Sequence, residues 1–261
     1  MKISIIGAGA MGGAFAEGLL KSNTFAANDI TVADPYQPTL DHFKSEGANV
    51  TSDNRSAAKD ADIVAVVVKP WLVEQVLTGI KEVLDYSKQL LIIIAAGVSS
   101  ESIKTWMSKN GATPHFFLTI PNIAIAEKAS MTFIVPVDAT AEETQIISNI
   151  FDELGGCLIT EERLLGAGTT LASCGIAYAM RYVRAAAEGG VEFGFKAKDA
   201  TKIVLQTMDG AVKLLQATGE HPESAIDKVT TPGGVTIKGL NAMEHYGFSN
   251  AVIEGLKAGC K

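Results

Sequence analysis

Over its first 160 residues the chain repeats one pattern: short apolar runs rich in Ile, Val and Leu, separated by stretches of helical period. The runs KISII (from Lys2), ITVA (from Ile30), DIVAVVV (from Asp62) and LLIIIAA (from Leu90) show no polar–apolar alternation. A strand that faces water on one side alternates. These runs need burial on both faces, which suits parallel strands covered by helices on both sides. Three later runs, HFFLTI (115–120), MTFIV (131–135) and CLIT (157–160), are expected to extend the same sheet. Between the last two, a helix is predicted over 141–154, opened by the capping-box spacing of Thr140 and Glu143 and stopped by Gly155-Gly156.

The pattern changes after Glu161. From Arg163 onward the periodicity is helical and no convincing strand is present. IAYAMRYVRAAAEGG is apolar at helical spacing, and DATKIVLQTMDGAVKLLQATG is amphipathic, with Asp199 as the expected N-cap and Gly219 just past its end. A domain boundary is placed near 161, giving domains 1–161 and 162–261. A hundred helical residues with a long alanine- and glycine-rich helix form an odd free-standing domain. Small residues permit close helix contact within one chain, but unburied apolar faces favour a helical dimer interface.

Composition removes whole classes of function. Of 261 residues, 47% are hydrophobic and 20% charged, which fits neither a disordered nor a membrane protein. The formal net charge of −7, with no basic run, argues against a nucleic-acid partner. Cys157, Cys174 and Cys260 lack CxxC spacing, and His42, His115, His221 and His245 are scattered, so no metal site is expected. The N-terminus enters a strand at once, without the layout of a signal peptide, and Leu90–Val98 is too short an apolar stretch to span a bilayer. A soluble, cytoplasmic protein is the expectation.

The first run leads into IGAGAMGGAFAEGLL, where Gly7, Gly9 and Gly12 have GxGxxG spacing between a strand and a helix. The first glycine makes the tight turn, the second admits a pyrophosphate to the backbone, and the third lets helix and strand pack closely. With the helix start at Ala10 and Met11, these glycines form an expected phosphate cradle. Asp34 ends the next strand, where an acid can bind a ribose 2′-hydroxyl. No Arg or Lys follows until Lys44 to hold a 2′-phosphate. The cofactor is thus NADPH or NADH, with a lean to NADH, although Asp34 stands farther from Gly7 than is usual. The fold class that follows is α/β: an N-terminal Rossmann-type dinucleotide-binding domain, then an all-α dimerisation domain.

In order along nearly the whole chain, several stretches resemble the pyrroline-5-carboxylate reductase family. They are the glycine fingerprint, TSDNRSAAKDADIVAVVVKPWLVEQVL, IIAAGV, IPN, GTTLASCGIAYAMRYVRAAAEGGVEFGF and VTTPGGVTI. The resemblance implies reduction of 1-pyrroline-5-carboxylate to L-proline, the last step of proline biosynthesis, by an NAD(P)H-dependent homo-oligomer. It places Asn54 on the adenosine side, with Val68, Lys69 and Pro70 lining the crevice near the nicotinamide. Ala95, Ala96 and Gly97 would edge that crevice and Asn122 would help close it. Lys69-Pro70 as a strand terminus and Asn122 as a turn residue are the plainer alternatives.

The family usually reads Ser-Gly-Ser-Gly-Pro-Ala-Tyr where this chain has Ala172-Ser173-Cys174-Gly175-Ile176-Ala177-Tyr178. Ile176 replaces a helix-opening proline and Cys174 a serine. Cys174 and Gly175 are still expected at the substrate, through backbone donors at a helix N-terminus. Cys174 reads as a small buried filler ahead of a reactive thiol.

The last feature is the turn in VTTPGGVTI. Hydride transfer belongs to the cofactor, so the protein must position and polarise a cyclic imine that carries a carboxylate. Successive N–H groups at Gly233 and Gly234 can form an anion nest, and the hydroxyls of Thr230, Thr231 and Thr236 can add hydrogen bonds. Thr236 is assigned to the imine nitrogen, in agreement with the family's motif. A neutral cradle leaves the substrate carboxylate free to favour the iminium, which an arginine would oppose. In a dimer the turn is expected to reach the partner subunit's cofactor. A helix stop is the bland alternative. A β-hydroxy-acid dehydrogenase is the first rival, but Gly166–Met180 lacks the lysine such enzymes carry. The second rival is a cofactor-binding regulator without chemistry, against which the retained turn counts.

Overall fold

The computed structural model describes residues 1–260 and comprises two compact units, Met1–Ser173 and the chain from Cys174 onward. The first unit holds an eight-stranded sheet. Its strands are β1 (Ile3–Ile6), β2 (Ile30–Ala33), β3 (Asn49–Thr51), β4 (Ile63–Val66), β5 (Leu90–Ile93), β6 (Phe116–Ile120), β7 (Ser130–Val137) and β8 (Gly155–Ile159). They stand in the order β3-β2-β1-β4-β5-β6-β7-β8. The helices of this unit are α1 (Ala10–Lys21), α2 (Gln37–Ser45), α3 (Asn54–Lys59), α4 (Val73–Ile80), α5 (Ser100–Met107), α6 (Ala141–Asp152) and α7 (Leu165–Gly168).

Side chains alternate between two cores. Ile3, Ile5, Phe15 and Phe117 bury on one face of the sheet, and Ile6, Val64, Val66 and Phe116 on the other. This two-sided burial is why the strand sequences show no alternation. The later runs do extend the sheet, but β7 runs antiparallel to β6 and β8 parallel to β7. Chain length dictates the reversal: only residues 121–129 join β6 to β7, fewer than the dozen a parallel crossover needs.

Two local expectations meet different outcomes, and one strand was not expected at all. The capping box of Thr140 and Glu143 forms as expected at α6. Gly155-Gly156, however, do not stop that helix, because they open β8. There Gly155 adopts φ +137°, and an added Cβ would stand 2.2 Å from Ser130 O. β3 carries no sequence signal, being a three-residue edge strand of Asn, Val and Thr.

The second unit is all helical: α8 (Gly175–Glu192), α9 (Ala197–Thr218), α10 (Pro222–Val229), α11 (Val235–His245) and α12 (Phe248–Gly259). Helices α8 and α9 meet where Gly190 faces Ala200, and an added Cβ would lie 2.9 Å from the Ala200 methyl. Gly219 closes α9 in the left-handed conformation, as expected. Asp199 is not the N-cap of α9; Lys196 holds that position and Asp199 lies in the first turn, where a carboxylate complements the helix dipole. Among the described residues of this unit, Ala187 and Ala200 are the only buried apolar side chains, while Phe193, Leu214, Val235 and Tyr246 are well over half exposed. No helix among the described residues is long and apolar enough to cross a membrane.

Candidate active site

The C-terminal ends of β1, β2, β4, β5 and β6 surround a cleft of about 590 Å³. Open α/β sheets bind ligands at this edge. On its floor lie Gly7, Gly9, Ala10, Met11 and Gly12. Gly7 turns the chain at φ +93° and bonds back to β2 through its N–H to Ala33 O, at 2.8 Å. At Gly12 an added Cβ would stand 1.9 Å from Gly7 O, so only glycine lets α1 rise this close to the loop. Gly9 is different. An added Cβ there meets nothing within 4 Å, so the space before it is open. Gly9 caps α1 without a side-chain partner, which leaves first-turn N–H groups aimed outward. The floor therefore suits a pyrophosphate, and the residues present fit a dinucleotide.

Asp34 lies at the β2 end of the cleft. One carboxylate oxygen accepts the Ala8 N–H at 2.8 Å and the other the Tyr36 N–H at 2.9 Å. The acid thus clamps the glycine loop to the end of β2. Each oxygen keeps a second lone pair for a ligand. Val68, Lys69 and Pro70 line the cleft after β4, and Ala95 and Ala96 after β5. Among the described residues, Asp34 and Lys69 are the only charged side chains on the lining, which is otherwise mostly apolar.

Three expected residues are not part of this lining. Asn54 begins α3 beside its cap Asp53, and Gly97 follows the cleft in a left-handed turn. Asn122 is buried: its side chain accepts the Ala124 N–H at 2.9 Å and donates to Ala172 O at 3.3 Å. It ties the β6–β7 connection to the segment after α7. The cleft also includes Ile94, Ile120, Pro121, Thr169 and Ser173. The apolar members were legible only as strand ends, and the two hydroxyls only through the tertiary fold.

The segment around Cys174 departs from expectation. Thr169–Cys174 is a π-helical turn between α7 and α8, and Cys174 itself has helical dihedrals, φ −72° and ψ −35°. No free helix N-terminus exists at Gly175 to offer donors. Ile176 is compatible with this continuous path, because it keeps the N–H that a proline there would lack. Cys174 is half-buried with a free thiol.

In the second unit, Thr231-Pro232-Gly233-Gly234 is a type II turn, with proline second and Gly233 third at φ +73°. The Gly234 N–H closes it onto Thr231 O at 2.9 Å. The anion nest expected of Gly233 and Gly234 together is therefore not available, because one of its two donors is spent inside the turn. At Gly234 an added Cβ would lie 2.5 Å from Thr231 Oγ1 and 3.0 Å from Thr231 O, so any other residue requires the Thr231 side chain to turn away. Thr230 is also committed: its hydroxyl donates to Asp227 O at 3.0 Å and ends α10. What remains is the first turn of α11, which starts at Val235 with no side-chain cap, and the exposed hydroxyl of Thr236 within it.

Comparison with known proteins agrees with both halves of this picture. Residues 2–97 match the family model described as NADP oxidoreductase coenzyme F420-dependent, and residues 162–261 match pyrroline-5-carboxylate reductase dimerisation. Pyrroline-5-carboxylate reductase 2 of Dictyostelium discoideum is 35% identical over 97% of this chain and 89% of its own length. The chain belongs to the pyrroline-5-carboxylate reductase family. Reductase 1 of the same organism is 37% identical over 97% of the chain, which spans only about half (48%) of that longer relative. In structure, the pyrroline carboxylate reductase of Plasmodium falciparum, solved with NADP bound, shares the fold at a TM-score of 0.88, with 24% identity, 100% of this chain and 95% of that one.

Proposed function

We propose that this chain reduces 1-pyrroline-5-carboxylate to L-proline, the last step of proline biosynthesis, as an NAD(P)H-dependent reductase of a C=N bond. The observation that carries the reading is the open cradle at Gly9 in a chain related along its length to reductases of this name. The nicotinamide supplies the hydride. The protein's share is to orient, exclude water and manage the charge on the substrate.

The cleft walls from Ile94, Ile120 and Pro121 exclude water from the reacting face. No histidine or carboxylate lines that end, so the imine takes part in its protonated form, and no side-chain acid there delivers the proton. Thr236 is assigned to hydrogen-bond the nitrogen. The substrate carboxylate is assigned to the α11 N-terminus and the Gly233 N–H, with Thr231 as a further donor; helix N-termini favour anions without adding a formal positive charge. For the cofactor, Asp34 and the absence of Arg or Lys between it and Lys44 favour NADH, since a carboxylate repels a 2′-phosphate. The bare helices of the second unit support a homodimer. Its 88 residues cannot cover their own apolar faces, and a second copy supplies the missing surface.

The test is oxidation of NADH and NADPH, followed by absorbance, with pyrroline-5-carboxylate as substrate and a 3-hydroxy acid offered in the reverse direction. Turnover with the imine alone, faster with NADH, is the expected result. Cofactor binding without turnover on the imine would refute the assignment.

A further inference from the structure

Beyond β6 the cleft is bounded by the π-turn Thr169–Cys174. Thr169 and Ser173, four residues apart and so on one helical face, are the only side-chain hydroxyls on the lining among the described residues. Their protons are disposed differently. Thr169 Oγ1 donates to Leu165 O at 2.7 Å, so toward the cleft it offers lone pairs only. Ser173 is half-buried and its Oγ has no hydrogen-bond partner among the described residues, so its proton is free to be donated. One hydroxyl accepts and its neighbour donates.

The π-turn is held in place from several sides. Gly168 sits on the Phe133 ring, where an added Cβ would be 2.9 Å away, and Asn122 binds Ala172 O. Leu165 packs against the core. Single π-turns are rare and recur at functional sites. Ile176 stands where the related motif has proline, and a hydroxyl stands at 173 where that motif has glycine. The departure at 173 places a side-chain hydroxyl on the cleft lining.

Position along the sheet edge identifies the ligand. From Asp34 after β2 the lining passes the glycine loop after β1, Lys69 after β4, Ala95 after β5 and Pro121 after β6, and ends at the hydroxyl pair. With pyrophosphate at the glycine loop and the adenosine ribose at Asp34, the pair lies at the nicotinamide end. We infer that Thr169 and Ser173 hold the nicotinamide carboxamide, Ser173 donating to its oxygen and Thr169 accepting from its amide nitrogen. A carboxamide offers one acceptor and one donor group, the complement of this pair. Holding it fixes which face of the ring is presented to the imine. This inference rests on the cleft being the NAD(P)H site.

The experiment is calorimetric titration of wild-type protein, Ser173→Ala and Thr169→Val with NADH, with NADPH, and with reduced 3-acetylpyridine adenine dinucleotide, whose methyl ketone keeps the oxygen and lacks the amide nitrogen. Ser173→Ala should weaken NADH and the analogue alike, by about 3- to 10-fold, as for one lost neutral hydrogen bond. Thr169→Val should weaken NADH by a similar factor and leave the analogue unchanged, and Thr169→Ser should restore NADH binding. Wild-type affinities in both variants for both cofactors would overturn the inference. Failure of the wild-type protein to bind either natural dinucleotide would overturn the cofactor reading beneath it, a distinguishable result. If Thr169→Val does not fold, Ser173→Ala alone decides between an equal loss on both cofactors and none.

Discussion

Replacing Gly9 with alanine adds one methyl group to open space and to nothing else. Gly9 lies at φ −67° and ψ −163°, dihedrals that alanine adopts freely, and the added Cβ meets no atom within 4 Å. Alanine is a poorer N-cap than glycine by roughly 0.5–1 kcal/mol, but it lowers unfolded-state entropy by a compensating 0.4–1 kcal/mol or so. Folding stability should therefore stay within about 0.5 kcal/mol of wild type. The methyl group instead occupies the approach of the pyrophosphate to the backbone. Losing one charge-assisted hydrogen bond, about 1.5–3 kcal/mol, weakens dinucleotide affinity by about 10- to 150-fold. Gly12→Ala is the contrasting control. Its methyl would stand 1.9 Å from Gly7 O, so α1 or the loop must move. An overpacking cost of about 1–3 kcal/mol lowers Tm by roughly 2–12 °C. Thermal melts and NADH titrations on both variants measure the two effects separately. If Gly9→Ala bound NADH like the wild-type protein, the cradle reasoning would be refuted, because the added methyl has only the open space of the cradle to fill.

Thr236→Ala should lower kcat by about one to three orders of magnitude while NADH affinity stays put, and steady-state kinetics with unchanged turnover would remove Thr236 from the mechanism. Glu143 is partly desolvated, which raises its pKa, but the Thr140 N–H, the His115 ring and the Thr140 hydroxyl together outweigh this and hold it below its ordinary value. A depressed carboxyl stabilises the fold above its unfolded pKa, and that contribution is lost as pH falls through the folded value. Glu143→Gln should thus cost about 1 kcal/mol at neutral pH and converge with wild type as acid titrates the carboxyl, a trend visible in urea melts across pH. Burial pushes the Cys157 thiol up to about 11. Iodoacetamide at mildly alkaline pH should therefore label exposed Cys260 and leave Cys157 unmodified in the native protein, as peptide mass mapping would show.

The strands, the cradle and the change to an all-helical second half were legible because each is a local property. Apolar runs such as Ile63–Val66 announce two-sided burial, glycines at fixed spacing announce a backbone that other residues cannot follow, and Thr140 with Glu143 marks a helix start from four residues. What local pattern could not decide was anything set by partners distant in sequence. Strand direction at β7 came from a connection too short to cross over. Asn122 read as a crevice or turn residue, and its bond to a carbonyl fifty positions away had no local sign. The donors of the Pro-Gly-Gly turn looked free until the Gly234 N–H closed the turn itself, leaving the uncapped first turn of α11 as the remaining set of backbone donors. Ile176 read as a weakened helix start, yet the chain before it is already helical, with a π-turn over Thr169–Cys174. Only that turn, seated on Phe133 and tied to Asn122, put Ser173 at the end of the cleft. Periodicity and glycine spacing specify which elements form, because they depend on backbone sterics and burial. Which hydrogen-bonding groups stay free for a ligand depends on which the fold has already used, and that was settled only when distant segments met.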